Sequence, residues 1–188
     1  MKNKIAFICS NLKAGGAQNV VNLTSEKLSS MGYNVTVITL SNEKFDFYNL
    51  NKNIKRISLN KVINSKNIFY AFINNISRIR LLRKNMKEEK YKTCISFVTQ
   101  TNIITIIASL FLNTKIIVSE RNNPYKQRDK LIWYILKSLT YPLADIVTAN
   151  SETGVNYYKK NIFIRKIEFF PNPLPRPKDI KFTNTRKI

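Results

Sequence analysis

Gly15-Gly16-Ala17-Gln18-Asn19 lies between the apolar run Ile5-Ala6-Phe7-Ile8 and a helix-like run from Ala17 to Met31. That order reads as strand, glycine turn, helix start. A helix start carries unpaired backbone N–H groups and a partial positive charge, so it suits phosphate or another anion. Paired glycines let the backbone approach such a group with no Cβ in the way. The stretch lacks the later glycines of a dinucleotide fingerprint, and no Gly-Lys-Ser/Thr follows as in a P-loop. Two readings stand: an anion seat, and a tight strand-to-helix turn without a ligand.

Ser119-Glu120-Arg121-Asn122-Asn123-Pro124 is a second concentration of chemistry. It joins a carboxylate, a guanidinium and two amides behind a β-branched run. The fork of Arg121 suits a diphosphate, because it can bind two oxygens at once. The same residues also read as a surface ion pair and a turn. In the run from Ile76 to Lys90, Arg80, Arg83, Lys84 and Lys87 share one helical face beside a stripe of Ile79, Leu82 and Met86. A basic face beside an apolar one suits an anionic membrane surface. The other reading is an amphipathic helix with its stripe in the core and its charges solvated. Aromatics for base stacking are not interleaved with these cations, which argues against nucleic acid.

The elements that must position these residues alternate. Strand-like runs fall at Lys4–Ile8, Val35–Thr39, Lys55–Leu59, Thr93–Val98, Lys115–Ser119, Asp145–Ala149 and Lys166–Phe169. Helical runs fall at Ala17–Met31, Ile68–Lys90, Asn102–Leu112, Lys126–Leu143 and Glu152–Asn161. The pattern predicts an α/β fold: a Rossmann-like parallel sheet with helices on both faces. Gly32 reads as the end of the first helix and Asn150-Ser151-Glu152 as the cap of the fifth. Ligands on such sheets sit at the carboxyl ends of the strands. Asn11–Gln18, Phe97–Asn102, Ser119–Asn123 and Asn150–Glu152 should therefore line one edge. Pro171-Asn172-Pro173-Leu174-Pro175-Arg176-Pro177 forbids helix and reads as a linker, dividing residues 1–170 from 171–188.

Composition narrows the chemistry. Lys and Arg number 32 against 11 Asp and Glu, a net charge of +21, which calls for an anionic partner. With no histidine, His-based triads, His general bases and His metal ligands are excluded. Cys9 and Cys94 sit in apolar runs and read as buried free thiols, which fits a reducing cytoplasm. The longest apolar run, Ile103 to Leu112, is interrupted by Thr105 and Ser109 and is shorter than the roughly twenty residues of a spanning helix. The chain is expected to be soluble or peripheral.

Taken in order, these motifs resemble the N-terminal domain of retaining GT-B glycosyltransferases of family 4. The nearest likeness is to bacterial enzymes that add N-acetylgalactosamine or a related sugar to polyprenyl-diphosphate-linked oligosaccharides. Gly15-Gly16-Ala17-Gln18-Asn19 is similar to their Gly-Gly-Ala-Glu-Arg loop, and Ser119–Pro124 to their Ser-Glu-Arg-Asn-Asx-Pro loop. Ile95-Ser96-Phe97 with Thr101-Asn102, then Asn150-Ser151 and Pro171-Asn172-Pro173, complete the set. Gln18-Asn19 departs from Glu-Arg, and some relatives carry His where Arg121 stands.

The resemblance implies sugar transfer with retention from a nucleotide sugar, UDP-linked in expectation, with no metal and no other cofactor. It implies that Gly15, Gly16, Gln18 and Asn19 line the donor diphosphate. Glu120 and Arg121 would be the catalytic pair, and Ser119, Asn122, Thr101, Asn102, Asn150 and Ser151 would line the acceptor cleft. Arg80, Arg83, Lys84 and Lys87 would hold an anionic membrane and the lipid diphosphate, at the cytoplasmic face of the bacterial plasma membrane. It also implies a donor-binding domain beyond the linker, or a separate subunit supplying it, without which the acceptor side is expected to be inactive. The alternatives are a basic Rossmann-like nucleic-acid-binding domain and a non-catalytic subunit of a split glycosyltransferase.

Overall fold

The structure is a computed structural model that describes residues 3–60, 68–126 and 131–173. Seven strands form one parallel sheet: β1 (Lys4–Cys9), β2 (Asn34–Thr39), β3 (Lys55–Ser58), β4 (Thr93–Phe97), β5 (Lys115–Glu120), β6 (Ile146–Ala149) and β7 (Ile167–Phe169). Their order is β3-β2-β1-β4-β5-β6-β7, and every neighbouring pair is parallel. The direction of winding reverses at β1. The crevice between the carboxyl ends of β1 and β4 is therefore the switch point at which open α/β sheets bind ligands.

The helices are α1 (Gly16–Ser30), α2 (Ile68–Glu89), α3 (Thr99–Ser109), α4 (Leu131–Thr140) and α5 (Glu152–Asn161). They cover the two faces unequally. Val20 and Val21 of α1 pack on Phe7, Val35, Val37 and Phe97. The opposite face, with Ile8, Ile38, Cys94, Ile116, Val118 and Val147, receives Leu82 and Met86 of α2, Ile103 to Ala108 of α3, and Val155 and Tyr158 of α5. Right-handed crossovers explain the division. The β1-to-β2 step runs one way across the sheet. The four later helical crossovers run the other way and place their helices on the other side.

Local signals set the helix ends. Gly32, at φ 86°, closes α1: its N–H donates to Ser29 O and that of Tyr33 donates to Leu28 O. These are the two bonds of a Schellman motif, and a left-handed residue is what the motif requires. Ser151 caps α5 by accepting from the Gly154 N–H at 3.0 Å. Two helices depart most from the sequence reading, α3 at both ends, since it stops at Ser109 rather than Leu112, and α4 at its end. α3 begins at Thr99 rather than Asn102, because Val98 turns the chain at φ 73° directly after β4. The fourth helix ends at Thr140 and tightens into a 3-10 turn over Tyr141–Leu143, where Pro142 sits at its start. Residues 127–130, expected as its first turns, and the linker beyond Pro173 lie outside the described residues.

Candidate functional site

The loops after β1, β4, β5 and β6 stand on one edge of the sheet, as its parallel order requires. α1 starts at this edge with no side chain capping its N-terminus and no acidic residue in its first turn. Its free N–H groups and dipole therefore face outward unneutralised. Gly15 has extended backbone (φ 172°), so its conformation does not demand glycine. A Cβ there would meet the flexible end of Gln18 at 2.4 Å, whereas one on Gly16 would meet nothing within 4 Å. The chain's own packing gives no reason for glycine at 16. Gln18 Nε2 donates to Asn11 Oδ1 at 3.3 Å, and the same oxygen accepts from Lys13 N–H at 3.0 Å. Asn19 N–H bonds Gly15 O at 2.9 Å. Gln18 thus shapes the loop through its side chain and Asn19 through its backbone N–H, and both are half-buried.

The structure separates the residues expected to share a cleft. Asn122 is exposed, and Asn150 and Ser151 are half-buried at the edge. Asn150 Nδ2 donates to Arg121 O at 3.1 Å and so joins the β5 and β6 loops. Ser119, Thr101 and Asn102 are buried and do not line the cleft. The Ser119 hydroxyl accepts from Thr148 Oγ1 at 2.9 Å. Asn102 accepts from Ser96 Oγ at 2.8 Å and donates to Ser119 O at 3.3 Å.

Glu120 is also turned inward, at 1% exposure. Its Oε1 accepts from Thr99 Oγ1 at 2.9 Å, from Asn102 Nδ2 at 3.4 Å and from the Tyr141 hydroxyl, with Lys137 Nζ 3.6 Å away. Burial and the facing carboxylate push the Tyr141 hydroxyl well above its ordinary pKa. The expected catalytic carboxylate is therefore an internal strut joining β5, the start of α3 and the end of α4. Sequence reading did not anticipate these contacts, because Lys137 and Tyr141 arrive from a helix and a turn distant in sequence.

Arg121 lies over the rings of Phe97 and Phe170, with centroid distances of 5.5 and 4.9 Å. Its Nη1 donates to Phe170 O at 2.9 Å and to Asn172 Oδ1 at 3.1 Å, fastening the chain beyond β7 to the sheet edge. Nε and Nη2 are buried with no hydrogen-bond partner among the described residues, and burial pushes the guanidinium down to about 10. Arg121 and Glu120 follow one another in sequence but hold different partners.

The basic helix is likewise divided. Leu82 and Met86 are core, and Ile79 packs against it, so the apolar stripe of α2 is occupied. Arg83 Nη1 donates to Ala108 O and Leu110 O at 2.9 and 2.6 Å, capping the end of α3. Arg80, Lys84 and Lys87 keep their charges near solvent.

A cavity of about 410 Å³ at the same edge was not anticipated. Asn11, Asn42 and Asn60 contribute from just beyond β1, β2 and β3, Gln100 from the first turn of α3, and Lys13 and Arg78 supply charge. An Asn two or three residues past each of three successive strands was a readable signal. Among the described residues no cluster of acidic and Cys side chains could hold a metal, and no helix is long and apolar enough to cross a membrane. Cys9 and Cys94 are buried and unpaired, and burial pushes both thiols up to about 12.

Comparison with known proteins places this geometry. The chain is 28% identical over 182 residues to the GalNAc-alpha-(1->4)-GalNAc-alpha-(1->3)-diNAcBac-PP-undecaprenol alpha-1,4-N-acetyl-D-galactosaminyltransferase of Campylobacter jejuni, covering 97% of this chain and 49% of that protein. It thus spans about half the length of that relative. Among solved structures, it matches sucrose-phosphate synthase from Thermosynechococcus elongatus with a TM-score of 0.75 at 13% identity, over 90% of this chain and 48% of that one. The lipopolysaccharide outer core galactosyltransferase WaaB gives a TM-score of 0.65 at 16% identity, over 91% of this chain and 46% of that one. MurG of Acinetobacter baumannii gives 0.62 at 10%, over 92% and 47%. At these identities the solved structures speak to the fold alone, and the fold is the Rossmann-like sheet expected from the sequence. The model of Glycosyltransferase Family 4 matches residues 14–175, and the chain belongs to that family.

Proposed function

We propose that this chain forms the acceptor-side domain of an enzyme that moves a sugar from a nucleotide sugar, UDP-linked, to a hydroxyl of a lipid-linked glycan. The observation that carries the reading is the alignment along nearly the whole chain with a transferase whose name specifies an undecaprenyl-diphosphate-linked acceptor. In the reaction the bond from the anomeric carbon to the diphosphate breaks. A bond to the acceptor oxygen forms with retention, and the hydroxyl proton is released. Residues 1–170 serve as the platform. Residues 171–188 lead toward a donor-binding domain, in the same polypeptide or in a partner subunit.

The open approach over Gly16 and the uncapped start of α1 suit the departing diphosphate, where fixed N–H groups stabilise developing charge. Gln18 and Asn19 hold that loop in shape. Asn122, Asn150 and Ser151 offer amides and a hydroxyl to sugar hydroxyls. Arg121 acts on the cleft by fixing the segment through Asn172, and Glu120 acts by fixing the edge from within. Arg80, Lys84 and Lys87 would attract anionic lipid, which supports a reading of work at the cytoplasmic face of the plasma membrane.

The test is binding and turnover measured together. The purified 188-residue chain should bind an undecaprenyl-diphosphate-linked saccharide and should not transfer sugar to it from a nucleotide sugar. Gly16→Val should weaken engagement of a donor diphosphate once the donor-binding half of the Campylobacter relative is supplied. Turnover by the chain alone would overturn the acceptor-side assignment. Failure to bind any lipid-linked saccharide, with steeply salt-dependent binding of duplex or single-stranded nucleic acid instead, would overturn the transferase reading.

A further inference from the structure

The cavity of about 410 Å³ beyond β1, β2 and β3 has no part in the reaction described above. Its volume falls within the roughly 300–1,000 Å³ of small-molecule sites. Arg78 enters it from α2 and Gln100 from the first turn of α3, so it opens on the α2 and α3 side of the sheet. α1 packs on the other side, and the diphosphate seat at its start is therefore a separate place on the same edge. Asn11 joins the two places: it lines the cavity, and its Oδ1 accepts from Gln18 Nε2 at 3.3 Å.

The lining has a definite chemical preference. Lys13 and Arg78 are cations, and no Asp or Glu is among the described residues that line the cavity. Arg78 is only 8% exposed, and its Nη1 donates to Asn75 Oδ1 at 2.8 Å, which holds the guanidinium in place. A planar guanidinium fixed at a wall matches an oxyanion. The remaining groups suit a sugar better than a bare ion. Asn42 Nδ2 donates to Asn60 Oδ1 at 3.1 Å, so an amide pair spans the loops after β2 and β3 and keeps further N–H capacity for hydroxyls. Gln100 is exposed and offers another amide. Phe45 is 59% exposed, with Lys13 Nζ 5.1 Å from its ring centroid, and an apolar ring beside amides suits the C–H face of a pyranose. We infer that this cavity binds an acidic sugar residue of the acceptor, its exocyclic oxyanion held by Lys13 and Arg78 and its hydroxyls met by Asn42, Asn60 and Gln100. A uronic acid and a sugar phosphate both present such an oxyanion. The inference deepens the proposed function and rests on it for calling the sugar an acceptor.

The experiment measures binding to the 188-residue chain by calorimetry and ligand-observed NMR. It is run in about 0.15 M salt, where the general field of a +21 chain is damped beyond about 8 Å. The probes are methyl glucuronide, glucose 6-phosphate and methyl glucoside, with acetate and inorganic pyrophosphate as anions that carry no sugar. At least one of the two sugar acids should bind about tenfold or more tightly than the glucoside, and the tighter of them identifies the oxyanion. Lys13→Gln and Arg78→Gln should each weaken that acid about tenfold and leave the glucoside nearly unchanged. Lys13 is exposed, so its variant keeps the fold even if Arg78→Gln does not. No binding of either acid, equal affinity for acid and glucoside, or acid binding that survives Lys13→Gln overturns the inference. Acetate or pyrophosphate binding as tightly as the sugar acids also overturns it, because the cavity would then hold an anion without reading a sugar. Each of these results leaves the acceptor-side reading standing if the chain still binds an undecaprenyl-diphosphate-linked saccharide, whereas loss of all saccharide binding overturns both.

Discussion

Replacing Glu120 distinguishes a strut from a cleft carboxylate. Glu120 and Lys137 have side chains 1% and 3% exposed and lie 3.6 Å apart. Glu120→Gln keeps the shape but removes the charge. Lys137, which also donates to the Tyr158 hydroxyl at 3.1 Å, then loses a buried counter-charge. Removing one partner of a buried ion pair costs about 3–5 kcal/mol. For a domain of this size that corresponds to a fall in Tm of roughly 6–20 °C. Lys137→Met should also destabilise, though less, because the carboxylate keeps Thr99, Asn102 and Tyr141 as donors. The double variant removes both charges and should recover much of the loss, so the cycle should show a coupling energy of about 2 kcal/mol or more.

Urea unfolding followed by Trp133 emission measures all four proteins. The companion assay is binding of a lipid-linked saccharide by whichever variants remain folded. The strut reading expects stability to fall in the single variants, with saccharide affinity nearly unchanged wherever the fold persists. It is refuted if Glu120→Gln costs less than about 1 kcal/mol, the range of a surface pair, while saccharide binding collapses. That outcome would return Glu120 to the cleft.

Arg121→Met should keep the packing on Phe97 and Phe170 but lose the bonds to Phe170 O and Asn172 Oδ1; hydrogen exchange at the Phe170 amide, which donates to Ala149 O at 2.8 Å, should accelerate roughly tenfold to a hundredfold. Unchanged exchange there would rule out the clamp. Lys55 and Lys4 hold the Glu89 carboxyl below its ordinary range, at 2.5 and 3.2 Å. Its folded pKa lies below its unfolded value of about 4.3, so this contribution is present above that pH and is lost as pH falls through the folded value. Glu89→Gln should therefore lower stability near neutrality by about 1 kcal/mol or less, and the gap to wild type should close in acid; a gap that persists there counts against the pairing. Cys9 and Cys94, pushed up to about 12 by burial, should resist a thiol reagent in the native state and react once urea unfolds the chain. Rapid labelling of the folded protein would show that one of them is accessible.

The sheet was legible because its strands are short β-branched runs separated by turn residues, and alternation of strand and helix constrains them to a parallel order. The edge loops were legible for the same reason, since every parallel strand delivers its carboxyl end to one side. What lay beyond single-sequence reading was the direction of individual side chains at that edge. Ser119 and Glu120 are adjacent and polar, which reads as solvent-facing. Alternation along β5 sends them to opposite faces, Glu120 toward α3 and α4 and Ser119 into the wall of a cavity of about 180 Å³ beside Thr148 and Phe170. A buried carboxylate requires donors, and Lys137 and Tyr141 come from a helix and a turn whose orientation no local pattern encodes. The early start of α3 was hidden in a similar way, because a β-branched Val98 is a poor candidate for a left-handed turn until the surrounding contacts hold it there.

Helices α2 and α4 make the same point from opposite sides. α2 reads as amphipathic, and its apolar stripe is core. α4 reads as nearly all apolar, a pattern that predicts burial all round. Its buried side nevertheless accommodates Lys137, because Glu120 needs a cation there. Once Lys137 faces inward, helical geometry carries Leu131, Ile135 and Leu139 outward, since residues half a turn away cannot also face the core. The internal strut and the exposed apolar face are therefore consequences of one rotation of α4. A helix rotated to bury its leucines would expose Lys137 and leave Glu120 without its counter-charge. The ion pair that holds Glu120 inward is thus also what turns an apolar surface of α4 outward.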